Sequence, residues 1–366
     1  MTPLASTPQW FTTVMGTAIV ATSTAALPVD SWLLDLVGSA FWILACGLLI
    51  VATAHMAWRY TTDRSALRTD LHDPTTAPFF GAVAMAPLAV GGATAAVGPR
   101  FLGDHLATSA DAALWIVGSV LAVIVAVVVP AVQFTSHQVD TAAANPAWLL
   151  PVVGPMVSAA TGAVLIGRVD SAAVAQALAY TSLALFGASG LAAALVTASL
   201  WWRLAHHQHA DAATVPSLWI VLGPLGQSVT ALTMLALYAP AAFGLDPAIL
   251  NVAAVLYGVP VLGFALAWLA LSIVVAARVA GRRLPYSMGW WAFTFPVGTC
   301  VTGAAGLAAI TGAAVFAWVA GFFAVLLILG WCASAVGTAR ALATRRAARG
   351  KSARLPSSAG RVGAAV

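Results

Sequence analysis

"VVGPMVSAAT" runs from Val152 to Thr161, and "VLGPLGQSVT" runs from Val221 to Thr230, so that Pro155 and Pro224 stand in matching surroundings. Each sets Gly-Pro inside an uncharged apolar run, where proline removes a backbone donor and clashes with the preceding turn. Pro87 in "AMAPLAVGGA" and Pro296 in "TFPVGTCVT" extend the series on either side at nearly the same interval. One further interval before Pro87 lies Gly16 in "VMGTAIVAT". A fixed period with similar flanks marks a repeated supersecondary unit, here of about 70 residues. A span needs about 20 apolar residues, so a unit of this length holds two of them and reads as a helical hairpin.

The composition names the solvent. The chain has 366 residues, 61% hydrophobic and 7% charged, whereas soluble domains run at about 25% charged. Glutamate is absent, and Lys351 is the only lysine. Such a chain cannot cover a water-facing surface and reads as an integral membrane protein. Nine residues without a basic cluster precede Trp10, so the first apolar run is expected to remain as a span and not to be cleaved as a signal. Cys46, Cys300 and Cys332 lie scattered inside apolar runs, which suits small core residues better than a disulfide framework or metal site.

Runs nearly free of charge cover Trp10–Val29, Leu36–Trp58, Pro78–Pro99, Ala112–Ser136, Trp148–Gly167, Ser171–Trp202, Ala212–Leu245 and Pro247–Ala277. The interval between Arg283 and Arg340 carries no charge and is long enough for two more spans, divided at "TGAA", Thr311–Ala314. The total is ten. Fourteen of the sixteen basic residues follow even-numbered spans or lie in the tail, and only Arg100 and Arg168 fall on the other side. The positive-inside rule then places both termini in the cytoplasm. The net charge of +5 is spread over the ends of apolar runs, which argues for topology and against a nucleic-acid surface.

The expected fold is all-α: ten transmembrane helices as five hairpins in a ring, with kinked odd helices lining a central pore. Freed carbonyls at a kink are tolerated in a membrane where they line a cavity. Aligned on the breakers Gly16, Pro87, Pro155, Pro224 and Pro296, the residues one before are Met15, Ala86, Gly154, Gly223 and Phe295. Three after come Ile19, Val90, Ser158, Gln227 and Thr299; six after come Thr22, Ala93, Thr161, Thr230 and Thr302. These offsets form one helical stripe. It is small or hydroxyl-bearing and carries no charge, and a lining of hydroxyl donors without carboxylate suits anions. Each threonine could instead bond its own helix one turn back. None of the eleven aspartates falls mid-span in this reading. The exception at the first level is Phe295, the one large ring where its counterparts are Met, Ala or Gly.

An enzyme is not expected: no nucleophile–base pair, acidic dyad or metal-ligand set appears at membrane depth, and no cofactor is implied. The "HHQH" of His206, His207 and His209, near Asp211, reads as a solvated loop. His55 and Arg59 read as anchors at lipid headgroups, and Trp290 and Trp291 as an interfacial belt.

"PQWFTTVMGTAIVA", "HDPTTAPFF", "NPAWLLPVVGP", "PSLWIVLGP" and "GWWAFTFP" resemble the tellurite-resistance/dicarboxylate transporter family. That family includes the bacterial tellurite-resistance protein, fungal malate permeases and sulfite exporters, and plant slow anion channels. The similarity runs from about Pro8 to Ala343. It implies five pseudo-symmetric hairpins, a central anion pore, homotrimers in the plasma membrane, and a pore-plugging phenylalanine that corresponds to Phe295. The expected organisation is a short cytoplasmic N-terminus (1–9), a transport domain (10–343) and a basic, disordered cytoplasmic tail (344–366). The expected partners are a small anion, membrane lipid and two further copies of the chain. A channel for small inorganic anions or C4-dicarboxylate and sulfite-type substrates, and a proton-coupled carrier for malate or another dicarboxylate, both stay open.

The arginine asymmetry yields a labelling pattern. In a background without the native cysteines, an impermeant thiol reagent added outside should modify Arg100→Cys or Arg168→Cys and not Arg282→Cys; the reverse pattern would refute both the span count and the orientation.

Overall fold

The computed structural model describes residues 7–136, 143–206, 214–279 and 285–352. Ten long helices carry the described chain: α1 (Phe11–Ala26), α2 (Trp32–Thr62), α3 (Phe80–Val97), α4 (Asp104–Ser136), α5 (Leu149–Ile166), α6 (Ala172–His206), α7 (Leu222–Tyr238), α8 (Pro247–Val279), α9 (Phe295–Thr311) and α10 (Ala314–Ser352). No strand occurs among the described residues. Among those residues, nine helical segments are long and apolar enough to cross a membrane. The tenth, α1, has 16 residues and is extended at its start by a 3-10 turn at Pro8–Trp10.

Two classes of helix alternate. The even helices span 31 to 39 residues, about 50 Å at 1.5 Å per residue. Their apolar windows are only 17–28% buried, while those of α3, α5, α7 and α9 are 78–89% buried. Leu191, Leu195, Trp318 and Val325 stand outward on the even helices. In water such faces would associate; toward lipid they are solvated.

The odd helices touch in a closed cycle: α1 meets α3, α3 meets α5, α5 meets α7, α7 meets α9, and α9 returns to α1. Each even helix packs on its own hairpin partner and also on the next odd helix, so α4 contacts α3 and α5, and α10 contacts α9 and α1. Sharp turns close the hairpins. Gly312, within the "TGAA" turn, caps α9 at φ 68°, and Gly103 precedes α4 at φ 76°. A side chain is strained in that region and glycine is not.

The breakers differ in place. Pro87 and Pro155 lie inside α3 and α5, as expected. Pro224 and Pro296 instead stand in the first turns of α7 and α9, after the 3-10 segments Val215–Val221 and Met288–Phe293. At a helix start the missing N–H leaves no bond unmade. The break in the ninth span falls at Thr294 (φ −107°, ψ −84°), between the 3-10 segment and α9.

Several side chains depart from their expected surroundings. Trp291 is 4% exposed and donates its indole N–H to Thr338 Oγ1 at 3.1 Å. It is a packing residue and not part of a belt. Arg59 is paired with Asp70 at 2.7 Å, and Tyr60 donates to the same carboxylate at 3.0 Å. Arg59 therefore ties α2 to the short helix Ala66–His72, not to headgroups, while His55 is half-buried and bonds the Val51 carbonyl of its own helix at 2.8 Å. Cys300 is a core residue, Cys46 is half-buried and Cys332 is exposed. His207, His209, Asp211 and the tail beyond Ser352 lie outside the described residues.

Small residues set the spacing of the inner helices. A Cβ on Gly81 of α3 would overlap the Leu150 carbonyl of α5, and backbone cannot rotate away as a side chain can. Gly81→Ala should cost about 1–3 kcal/mol through overpacking, read as a loss of several degrees in melting temperature in detergent. Gly263→Ala, with open space at its Cβ on the outer helix α8, should melt no lower than the parent.

Candidate functional site

A cavity of about 340 Å³ lies among the C-terminal halves of all five odd helices. Its wall follows the helical repeat: Ile19, Thr22 and Ala26 of α1; Ala89, Gly92 and Ala96 of α3; Val157, Ala160 and Val164 of α5; Gln227, Thr230 and Met234 of α7; Thr302, Ala305 and Ala309 of α9. Each trio is spaced at three- and four-residue steps, which keeps it on one face.

Phe295 stands at the N-terminal end of this cavity and is 3% exposed. On its other side is a void of about 20 Å³, walled by Met15, Met85, Val153, Gly223, Pro296 and neighbours. Phe295 is the one residue that both walls share. The preceding rings explain why it holds this place. Phe293 packs edge-on against Trp219 at 4.9 Å, and its carbonyl lies against Gly330 of α10. Thr294 donates its hydroxyl to the Trp291 carbonyl, and Gly298 N–H donates to the Thr294 carbonyl. The aromatic 3-10 turn is thereby fixed on the outer layer, and the change of direction at Thr294 presents Phe295 inward.

The stripe read from the sequence divides. Ile19, Thr22, Gln227, Thr230, Thr302 and Thr161 line the cavity. Ser158 does not: its hydroxyl meets Ser119 on α4. Thr299 is fully buried between α9 and α7, within reach of the Leu222 and Gly223 carbonyls at 3.3 and 3.2 Å. In α3, and in α5 apart from Thr161, the lining residues fall one position earlier than alignment on the prolines places them. Met85 and Val153 occupy the void wall instead of Ala86 and Gly154, and a Cβ at Gly154 would meet Ala122 of α4 at 3.0 Å. One residue turns a helix by about 100°. A proline inside a helix and one at its start are therefore not equivalent markers of register. Gly16 faces Trp291 and Thr294, and Gly223 opens onto Pro296 at 3.8 Å. Pro87 and Pro155 are buried outside both walls, whereas Pro224 lines the void.

The threonines have a defined polarity. Thr161 donates to Val157 O at 3.0 Å; Thr230 and Thr302 meet at 2.8 Å, so one donates to the other while the remaining hydrogen reaches a carbonyl, Gly226 O at 3.1 Å from Thr230 or Thr299 O at 3.1 Å from Thr302. A hydroxyl has one hydrogen and two lone pairs. With the hydrogens engaged within the protein, what faces the cavity is acceptor. Hydroxyl donors are therefore not the feature that favours anions here.

The charge comes from two residues outside the sequence stripe. Arg168, a loop charge by the span count, lines the cavity and donates to the Ala95 carbonyl at 2.7 Å. Asp111, one residue before the apolar run Ala112–Ser136, is in the second turn of α4, 1% exposed, and lines the same cavity. Ending each span at its first charge leaves both outside. An aspartate one turn before "LWIVGSVLAVIV" on the same helical face is the signal the sequence does carry.

Comparison with known proteins identifies the family. The family model described as voltage-dependent anion channel matches residues 5–339. The chain is 25% identical over 331 residues to the sulfite efflux pump of Arthroderma otae, covering 88% of this chain and 87% of that protein. The sulfite efflux pump of Trichophyton rubrum matches with the same identity and coverage. An uncharacterized transporter of Methanocaldococcus jannaschii is 25% identical over 297 residues, 80% of this chain and 81% of that one. A multi-pass helical protein matched by that model over nearly its whole length leaves one assignment: the chain belongs to the voltage-dependent anion channel family.

Proposed function

We propose that this protein passes small anions, sulfite-type oxyanions or simple inorganic ions, along the axis enclosed by its five inner helices, with Phe295 as the block. The observation that carries the reading is the place of Phe295, alone between a cavity of about 340 Å³ and a void of about 20 Å³. A ring at a constriction walled by Met15, Met85, Val153 and Gly223 blocks by volume and by excluding water, and it does so without charge. The family match supports anions as cargo, and the sulfite-pump relatives support an oxyanion. With cytoplasmic termini, as the arginine asymmetry favours, the larger cavity is an outer vestibule and Arg168 lies at its mouth. Three copies in the plasma membrane is the assembly that the family resemblance favours.

Arg168 supplies the attraction. Its guanidinium is charged at every accessible pH, and it is the only cationic side chain in the wall among the described residues. Opening requires the Phe295 ring to leave its place.

The two phenylalanines of "FTFP" separate gating from packing. A barrier change of about 1.4 kcal/mol is about tenfold in rate, so Phe295→Ala should raise basal anion flux in proteoliposomes by about tenfold or more. Phe293→Ala removes the contact with Trp219 and should lower thermal stability without opening the path. A Phe295→Ala protein that folds normally and stays as impermeable as the parent would show that the ring is not the block.

A further inference from the structure

We propose that Asp111 and Arg168 together form a proton-linked anion site in the vestibule wall, where one small anion and one proton bind side by side. The inference rests on the reading of the cavity as the anion path.

Both carboxylate oxygens of Asp111 are buried with no hydrogen-bond partner among the described residues. Ionisable groups at membrane depth are costly and are retained at substrate or proton pathways. The fold makes room for this one. A Cβ at Gly91 of α3 would come within 2.8 Å of Asp111 Oδ1, so glycine leaves the carboxyl its place against α3. Arg168 shares the wall, and no salt bridge joins it to Asp111 among the described residues.

The surroundings supply few other titrating groups. α4 packs against α3, α5, the turn Pro99–Leu102 and the short helix Ala66–His72. α3 and α5 contain no charged or titratable side chain. Arg100 of the turn is held by Asp35 at 2.6 Å. Arg68, Asp70 and His72 of the short helix adjoin the other end of α4. On α4 itself Asp104 and His105 precede Asp111 by about two turns and are exposed. Tyr238 of α7 lines the same cavity, its ring against Gly167 beside Arg168.

An anion drawn to Arg168 meets Asp111 in one of two states. The ionised carboxylate repels it. The protonated carboxyl is neutral, and its O–H can donate to the anion, which an ionised carboxylate cannot do. Binding of a proton to a carboxylate oxygen and of an anion beside it therefore favour one another, and by linkage the factor is the same in both directions. One proton from solution enters with the anion and is released when the anion leaves.

The test is chloride and nitrate flux in proteoliposomes at a series of external pH values. Neither ion titrates in the accessible range, so pH acts on the protein. The parent flux should rise as external pH falls. Asp111→Asn, neutral at every pH, should lose that dependence, while Arg168→Gln should raise the half-saturating anion concentration by about tenfold, within the usual range of coupling between sites. A parent flux independent of pH, or an Asp111→Asn protein with the parent's pH profile, overturns the proton-linked site and leaves anion transport standing. If Asp111→Asn does not reach the membrane, Arg168→Gln decides: an unchanged half-saturation overturns the site. A Phe295→Ala protein that folds normally and passes neither chloride, nitrate nor sulfite overturns the anion reading itself.

Discussion

Close approach of backbone to backbone among five inner helices is the constraint from which the rest follows. In lipid every backbone donor and acceptor must be satisfied inside the protein, and apolar side chains gain little by leaving one apolar medium for another. What holds the inner helices is contact, and contact requires small residues where they meet. Gly81 lies on the Leu150 carbonyl, Gly226 on the Thr299–Cys300 backbone, and Gly298 on Ile19. Because the inner helices touch in a closed cycle, their remaining faces enclose a cavity. Because they touch so closely, that cavity narrows to a width one phenylalanine can fill.

The chemistry of the enclosed space is then set by what the backbone leaves over. Thr161, Thr230 and Thr302 give their hydrogens to carbonyls or to one another and present lone pairs, so they hydrate the wall without favouring an anion. The selecting groups are two: a permanently charged guanidinium at Arg168 and a carboxyl at Asp111 whose charge depends on its proton. On the proposed reading, a vestibule with this pair takes an anion when the carboxyl is neutral and is less receptive when it is not. Phe295, at the N-terminal end of the cavity, contributes volume alone. Attraction and closure are thus assigned, on that reading, to different residues, which can be altered separately.

Much of this is legible in the sequence, because proline and arginine carry physical meaning in one dimension. The prolines at near-constant spacing announce the hairpin repeat, and the arginines mark the ends of the spans. Phe295 stands out as the one aromatic ring at its level. Other features are not legible. Alignment on proline assumes that each proline marks the same helical position, yet Pro87 and Pro155 are interior while Pro224 and Pro296 begin their helices. Such an alignment puts the stripe in α3 and α5 one residue late, and it sends Ser158 to the axis although it faces Ser119. Asp111 and Arg168 escape it for a different reason. Counting spans by their charges assumes that a charge ends a span, whereas a buried carboxyl beside Gly91 is accommodated within one. The burial of Trp291 against Trp331 and Thr338 is likewise invisible, since an interfacial and an interior tryptophan look alike in one dimension.

The central claim is that charge selection along this axis favours anions because Arg168 is the permanent charge in its wall. The zero-current potential across a planar bilayer containing the purified protein, with potassium chloride unequal on the two sides, tests it most directly. The potential should lie near the equilibrium potential of chloride and stay there when potassium is replaced by a bulkier cation. A potential near that of potassium would contradict the account.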